Sequence, residues 1–150
     1  MKTKKNAVNV RPATLADAQE IAMLEHGSIE CPWSEKQIAE SIDSPGYTFL
    51  VAEYDKDFAG YAGIEWCLDE GNICNVAVSP KARRAGVASA LVAELCNEAK
   101  KRGIVKLFLE VNENNVAAKS LYDKLGFVVL YKRPNYYRDT AALVMIKEIG

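Results

Sequence analysis

The chain has 150 residues with a formal net charge of −1, and it is 49% hydrophobic and 26% charged. Those numbers describe one domain, 1–150, with residues 1–6 as a flexible tail and enough apolar content to bury a core. They argue against a broad nucleic-acid or membrane-surface binder, because there is no global positive field, and no apolar run approaches the length that crosses a bilayer. The basic Met1–Lys5 start is followed by no hydrophobic stretch, so no signal peptide is read and a cytoplasmic location is expected.

Four cysteines, Cys31, Cys67, Cys74 and Cys96, show no C-x-x-C spacing and are expected to be buried reduced thiols. His26 is the single histidine, which removes multi-histidine metal sites and leaves acid–base chemistry to Glu, Asp, Tyr or water. No bound metal is expected.

In chain order, Val8 and Val10 alternate with polar neighbours in a short strand that stops at Pro12. Thr14-Leu15-Ala16-Asp17 is a capping arrangement with Asp in place of the usual Glu, opening a helix through Ile21 and Leu24 to Gly27. Ser34-Glu35-Lys36-Gln37 is a cleaner capping box before Ile38 and Ile42, and Ser44-Pro45-Gly46 ends that helix. Two runs rich in β-branched and aromatic residues, 47–54 and 58–68, flank Asp55-Lys56-Asp57 and read as a hairpin. Asp69–Asn72 is read as a turn into the strand Ile73–Val78.

Next comes Ser79-Pro80-Lys81-Ala82-Arg83-Arg84-Ala85-Gly86-Val87-Ala88, a basic turn running into a helix at Gly86. The first N–H groups of a helix have no intrahelical partner and carry partial positive charge. With small residues at Ala85, Gly86 and Ala88 and basic side chains at Lys81, Arg83 and Arg84, the segment reads either as a pyrophosphate cradle or as a solvated structural turn. Neither G-x-x-x-x-G-K-[ST] nor G-x-G-x-x-G is present, which disfavours a nucleoside triphosphate or a dinucleotide. The helix stacks Val87, Leu91 and Leu95, and Gly103 caps it.

Ile104–Val111 is a strand with one charged anomaly, Glu110, which is either a general base at a strand end or a solvated side chain. Asn115 caps a helix over Val116–Leu125, and Asn115, Ala118 and Tyr122 share one face that can line a ligand, although packing alone would also explain Tyr122. Phe127–Tyr131 is a strand, 132–139 an aromatic loop, and Ala142–Ile149 the closing strand. The order β-α-α-β-β-β-α-β-α-β-β gives an α/β fold with a single mixed, mostly antiparallel sheet flanked by helices.

Arg83-x-x-Gly86-x-Ala88 and Asn115-x-x-Ala118-x-x-Leu121-Tyr122-x-x-x-Gly126-Phe127 together resemble the GNAT superfamily, the GCN5-related N-acetyltransferases, over about Val10 to Met145. Cys31-Pro32-Trp33-Ser34-Glu35, Leu68-Asp69-Glu70, Asn75–Val78, Leu109-Glu110-Val111 and Arg133-x-Asn135-Tyr136-Tyr137 resemble its RimI type, the ribosomal-protein-alanine N-acetyltransferases. The resemblance implies a GNAT fold and acetyl-CoA as co-substrate, held by Val76, Ala77 and Val78, by Arg83, Arg84, Ala85, Gly86, Val87, Ala88 and Ser89, and by Asn115, Ala118 and Tyr122. It implies Glu110 as base and Tyr122 as acid, with the acceptor against Trp33, Glu35, Asp69, Glu70, Tyr136 and Tyr137. The implied acceptor is a protein N-terminus, the N-terminal alanine of a small-subunit ribosomal protein, with neither nucleic acid nor membrane involved. Ala88 stands where Gly is commoner in the family, and Pro134 stiffens the aromatic loop. A non-catalytic acyl-CoA sensor and an acetyltransferase for a small amine are the alternatives.

Overall fold

The computed structural model describes residues 8–28, 33–82, 86–137 and 140–149, with the side chains of 135–137 excepted. The capping signals act as written. Thr14 N–H and its hydroxyl both reach the Asp17 carboxylate, and Ser34 Oγ accepts from Gln37 N–H while Gln37 Oε1 accepts from Ser34 N–H. A short 3-10 turn, Leu15–Asp17, leads into α1 (Ala18–Ser28), and α2 is Glu35–Ile42. Asp17 is also gripped by both terminal nitrogens of Arg11 on β1 (Val8–Pro12), at 2.8 and 2.9 Å.

β2 (Tyr47–Tyr54) and β3 (Asp57–Cys67) form the expected hairpin, with Asp55 and Lys56 both at positive φ in its two-residue turn. β4 is Glu70–Val78, longer than expected at its start. The turn sits at Leu68, which takes φ +55°, and Glu70–Asn72 already pair in the sheet. α3 (Val87–Lys101), β5 (Lys106–Asn112) and α4 (Val116–Lys124) follow.

The expected loop over 132–139 is corrected: β6 runs Val128–Tyr137 and β7 Thr140–Glu148. Pro134 is tolerated because β6 is the last strand of the sheet and its ladder with β7 is irregular between Arg133 and Tyr137. A missing N–H costs little on an edge strand at a bulge.

The seven strands lie in the order β1-β2-β3-β4-β5-β7-β6, antiparallel except for β4 beside β5. On one face, Val87, Leu91, Val92 and Leu95 of α3 and Tyr122 of α4 pack on Ile64, Leu107, Leu109 and Val111. On the other, Ala18, Ile21 and Ala22 of α1 and Ile38 of α2 pack on Phe49, Val51, Tyr61 and Ala77. Among the described residues no helix is long and apolar enough to cross a membrane.

Candidate active site

β4 and β5 pair only at Glu70–Lys106, Gly71–Leu107 and Asn72–Phe108, then part. Each keeps its outer neighbour: β4 stays on β3 as far as Val78, and β5 stays on β7 as far as Asn112. The cause is local. Gly63 opposes Asn75 and Ile64 opposes Ile73, so Cys74 is an extra residue in β4, a bulge that turns the strand away from β5. Backbone N–H and C=O groups that face the opening have lost the partners a sheet interior normally supplies, so a ligand with amides of its own would complete the ladder.

The opening leads to the start of α3. Gly86 is its N-cap at φ +79°, in the left-handed region, and among the described residues a Cβ placed there would meet no atom within 4 Å beyond its chain neighbours. A left-handed glycine with open space before a helix N-terminus suits a phosphate drawn close to the backbone. Val87 is buried under the sheet, whereas Ala88 and Ser89 are half-buried in the first turn. Arg83, Arg84 and Ala85, expected in this cradle, lie outside the described residues.

Glu110 and Tyr122 lie on opposite faces of the sheet. Leu107, Leu109 and Val111 point into the α3 side of the sheet, so alternation sends Glu110 to the α1–α2 side. The 70–106 register places Glu110 level with Cys74, where pairing has ended. Its Oε2 takes an ion pair from Arg133 Nη1 at 2.9 Å. Tyr122 is buried on the α3 side, edge-on to Phe127 at 5.8 Å, and burial pushes its hydroxyl up to about 12. Asn115 Oδ1 accepts from Ala118 N–H at 3.1 Å as the cap of α4, so a ligand contact from Asn115 falls to its amino group.

On the α1–α2 side, Trp33 joins a ring cluster with Tyr47 at 6.1 Å and Phe49 at 6.2 Å. Glu35, two residues on, opens α2. Asp69 and Glu70 are not brought to the opening: Glu70 starts β4, four residues before Cys74, or about 13 Å along the strand. Tyr136 and Tyr137 are carried by β6, close in sequence to Arg133, and their side chains lie outside what is described.

Of two further residues that matter here, one was passed over in the sequence and the other was read only as a buried thiol. Glu25 on α1 is fully buried, its Oε1 accepting from Trp33 N–H at 2.7 Å and its Oε2 from Asn75 Nδ2 at 3.0 Å. The signal was its helical spacing from Ala18, Ile21 and Ala22, a carboxylate on an otherwise apolar stripe. Cys74 was expected to be merely buried. It is half-buried at the bulge, and burial, then the charge of Glu65, pushes its thiol up to about 12. Cys96 is also half-buried, Cys67 is exposed against expectation, and Cys31 lies outside the described residues.

The sequence model of the acetyltransferase (GNAT) family matches residues 15–127. The chain is 39% identical over 109 residues to the [ribosomal protein bS18]-alanine N-acetyltransferase of Escherichia coli strain K12, covering 73% of each chain. It is 35% identical over 151 residues to a putative [ribosomal protein bS18]-alanine N-acetyltransferase of Bacillus subtilis, covering 97% of this chain and 96% of the relative. The crystal structure of the ribosomal-protein-S18-alanine N-acetyltransferase from Escherichia coli superposes with a TM-score of 0.88 at 31% identity, over 96% of this chain and 95% of that one. With its parted parallel strands and glycine-capped helix, this chain belongs to the GNAT acetyltransferase family, whose members take their acetyl group from acetyl-CoA.

Proposed function

We propose that this protein transfers the acetyl group of acetyl-CoA to the α-amine of a protein N-terminus, with the N-terminal alanine of a ribosomal protein as acceptor. The observation that carries the reading is the parting of β4 and β5 with Glu110 on one face and Tyr122 on the other. A thioester threaded through that opening has its sulfur on the α3–α4 side and its carbonyl carbon reachable from the α1–α2 side. The acceptor class is taken from the relatives, which are named as alanine N-acetyltransferases of ribosomal protein bS18.

In this reading the pyrophosphate rests on the first turn of α3 at Gly86–Ser89, and the pantetheine amides pair with the unpartnered edge of β4 at Val76–Val78. A backbone N–H of that edge polarises the thioester carbonyl. Glu110, directly or through one water, takes a proton from the acceptor ammonium, whose ordinary pKa is about 7.7–8.0. The freed nitrogen bonds to the carbonyl carbon, the carbon–sulfur bond breaks, and the electron pair leaves on sulfur. Tyr122 donates a hydrogen bond to that sulfur. With its hydroxyl raised to about 12, above an ordinary thiol near 8.5, the tyrosine shares its proton with the thiolate rather than losing it outright. The amide nitrogen's remaining extra proton passes, by way of Tyr122 or water, to the thiolate, so that free thiol and acetylated amine result.

Glu110 rests against Arg133, so an incoming ammonium replaces one cation by another on the same carboxylate. The acidic character near the acceptor lies at Glu65 and Glu110 rather than at Asp69 and Glu70, because Glu65 faces Tyr47 and Cys74 on the α1–α2 side. A peptide with basic residues soon after its N-terminus is therefore preferred, with a preference that fades as salt rises.

Mass spectrometry of peptides beginning Ala-Arg and Ala-Glu, and of an N-blocked lysine peptide, incubated with acetyl-CoA tests the reading. Acetylation of the free N-termini, faster for Ala-Arg at low ionic strength, is expected. Equal activity on the N-blocked lysine peptide refutes N-terminal specificity, and thioester binding without any transfer points to an acyl-CoA sensor.

A further inference from the structure

The chemistry above leaves one buried carboxylate without a task. Glu25 is fully buried on α1, although the positions around it on that stripe, Ala18, Ile21 and Ala22, are apolar and an apolar side chain would fill the space more cheaply. Withdrawing a carboxylate from water costs several kcal/mol unless charge-assisted bonds offset it. Here both oxygens are engaged, and by donors from two separate parts of the fold. One is the backbone N–H of Trp33, at the lead-in to α2; the other is Asn75, the β4 residue directly after the Cys74 bulge and fifty positions further along the chain. Burial, the largest influence, raises the Glu25 carboxyl above its usual range, while the Trp33 N–H, Asn75 and the neighbouring His26 pull it back. Glu65 and the Cys74 thiol are the other titratable groups of this face whose fields meet here.

We infer that Glu25 is a positioning residue that clamps the Trp33 segment to β4 at Asn75, so that the wall proposed to receive the acceptor and the strand proposed to hold the thioester keep one fixed spacing. Asn75 immediately precedes Val76–Val78, and Trp33 carries the ring cluster with Tyr47 and Phe49. Releasing the clamp lets the acceptor wall drift relative to the carbonyl, which weakens productive acceptor binding and leaves the α3 cradle alone. A displacement of about 1 Å in a reacting pair is enough to cost on the order of a hundredfold in rate. The inference rests on the reading of the Trp33 face as the acceptor side.

The test uses Asn75→Asp, which sets a second carboxylate against Glu25, and the double variant Glu25→Gln with Asn75→Asp, which restores the same connectivity with donor and acceptor exchanged. In the double variant the Gln oxygen accepts from Trp33 N–H and its amino group donates to the new aspartate. Steady-state kinetics are measured with an alanine-starting peptide and with acetyl-CoA. Expected is at least a tenfold rise in peptide KM for Asn75→Asp, acetyl-CoA KM within twofold of wild type, and return of peptide KM to within threefold in the double variant. A residue that merely supports folding would lower Tm without separating the two KM values, and the exchange would not rescue a KM. Peptide KM within threefold of wild type in Asn75→Asp, a parallel rise of both KM values, or no recovery in the double variant overturns the inference. If Asn75→Asp does not fold, Asn75→Ala replaces it, with a threefold rise in peptide KM as the threshold. A readout independent of turnover is acrylamide quenching of Trp33 in a Trp66→Phe background, where Trp33 is the one tryptophan left of two. Quenching should at least double in Asn75→Asp and fall back in the double variant; no change overturns the clamp. A wild-type protein that never acetylates the peptide refutes the proposed acceptor, and the quenching then decides the clamp by itself.

Discussion

Gly86 and Gly103 stand at the two ends of α3 with almost the same backbone, φ +79° and φ +78°, and neither would bring a Cβ within 4 Å of an atom of the described residues beyond its chain neighbours. Replacing either by Ala therefore adds no clash with the described residues and is expected to cost the left-handed conformation, about 1–2 kcal/mol. For a chain of this length that lowers Tm by about 2–8 °C, equally for the two variants. They differ in what lies outside. If Gly86 is the floor of the pyrophosphate cradle, its new methyl occupies the space where the phosphate approaches the amides, and acetyl-CoA affinity falls at least tenfold, about 1.4 kcal/mol. Gly103 closes the far end of α3, so Gly103→Ala should bind acetyl-CoA as wild type does. Differential scanning calorimetry gives the stability pair and isothermal titration with acetyl-CoA the affinity pair. Equal acetyl-CoA affinities for the two variants, with equal losses of Tm, would refute the cradle at Gly86.

Other expectations are simpler to state. Glu110→Gln should bind acetyl-CoA normally and lose at least a hundredfold in kcat/KM, most at low pH where the acceptor stays protonated; an unaltered pH–rate profile removes Glu110 as the base. Tyr122→Phe keeps the edge contact with Phe127, so kcat should fall while Tm stays within a few degrees, and wild-type kcat would leave Tyr122 a packing residue. The hydrogen bonds from Arg11 hold the Asp17 carboxyl below its usual range, so its stabilisation is complete above about pH 4 and is lost as pH falls through the lowered value. Asp17→Asn should cost about 2 kcal/mol at pH 7, with a gap to wild type that closes on acidification; parallel Tm–pH curves would contradict this. Iodoacetamide at pH 8 should label exposed Cys67 well before Cys74, whose thiol is raised to about 12, and equal labelling rates would show that the bulge opens freely.

Much of this protein was written in short-range pattern. The capping boxes at Thr14 and Ser34, the turn at Asp55-Lys56 and the cap at Asn115 each depend on atoms a few residues apart, and each formed where the residues called for it. The segment from Ser79 to Ala88 and the spacing of Asn115, Ala118 and Tyr122 read as an anion cradle and a ligand-lining face because a helix N-terminus and a helix face are local objects, and the acetyltransferase reading came from the resemblance of those motifs to the GNAT family. What the tertiary structure decided is whatever depends on partners distant in sequence. The Cys74 bulge exists only through the register of β4 against β3, where β4 parts from β5, and the packing of α4 on the α3 side of the sheet puts Tyr122 on the face opposite Glu110. Pro134 reads as a residue that stiffens a loop until the order of strands puts it on an edge strand. Asp69 and Glu70 adjoin the right strand in sequence but lie at its closed end. Glu25 was not singled out in the sequence; only the packing of α1 on β4, with Trp33 and Asn75 as donors, makes it a buried carboxylate, because burial is a property of neighbours and not of the residue itself.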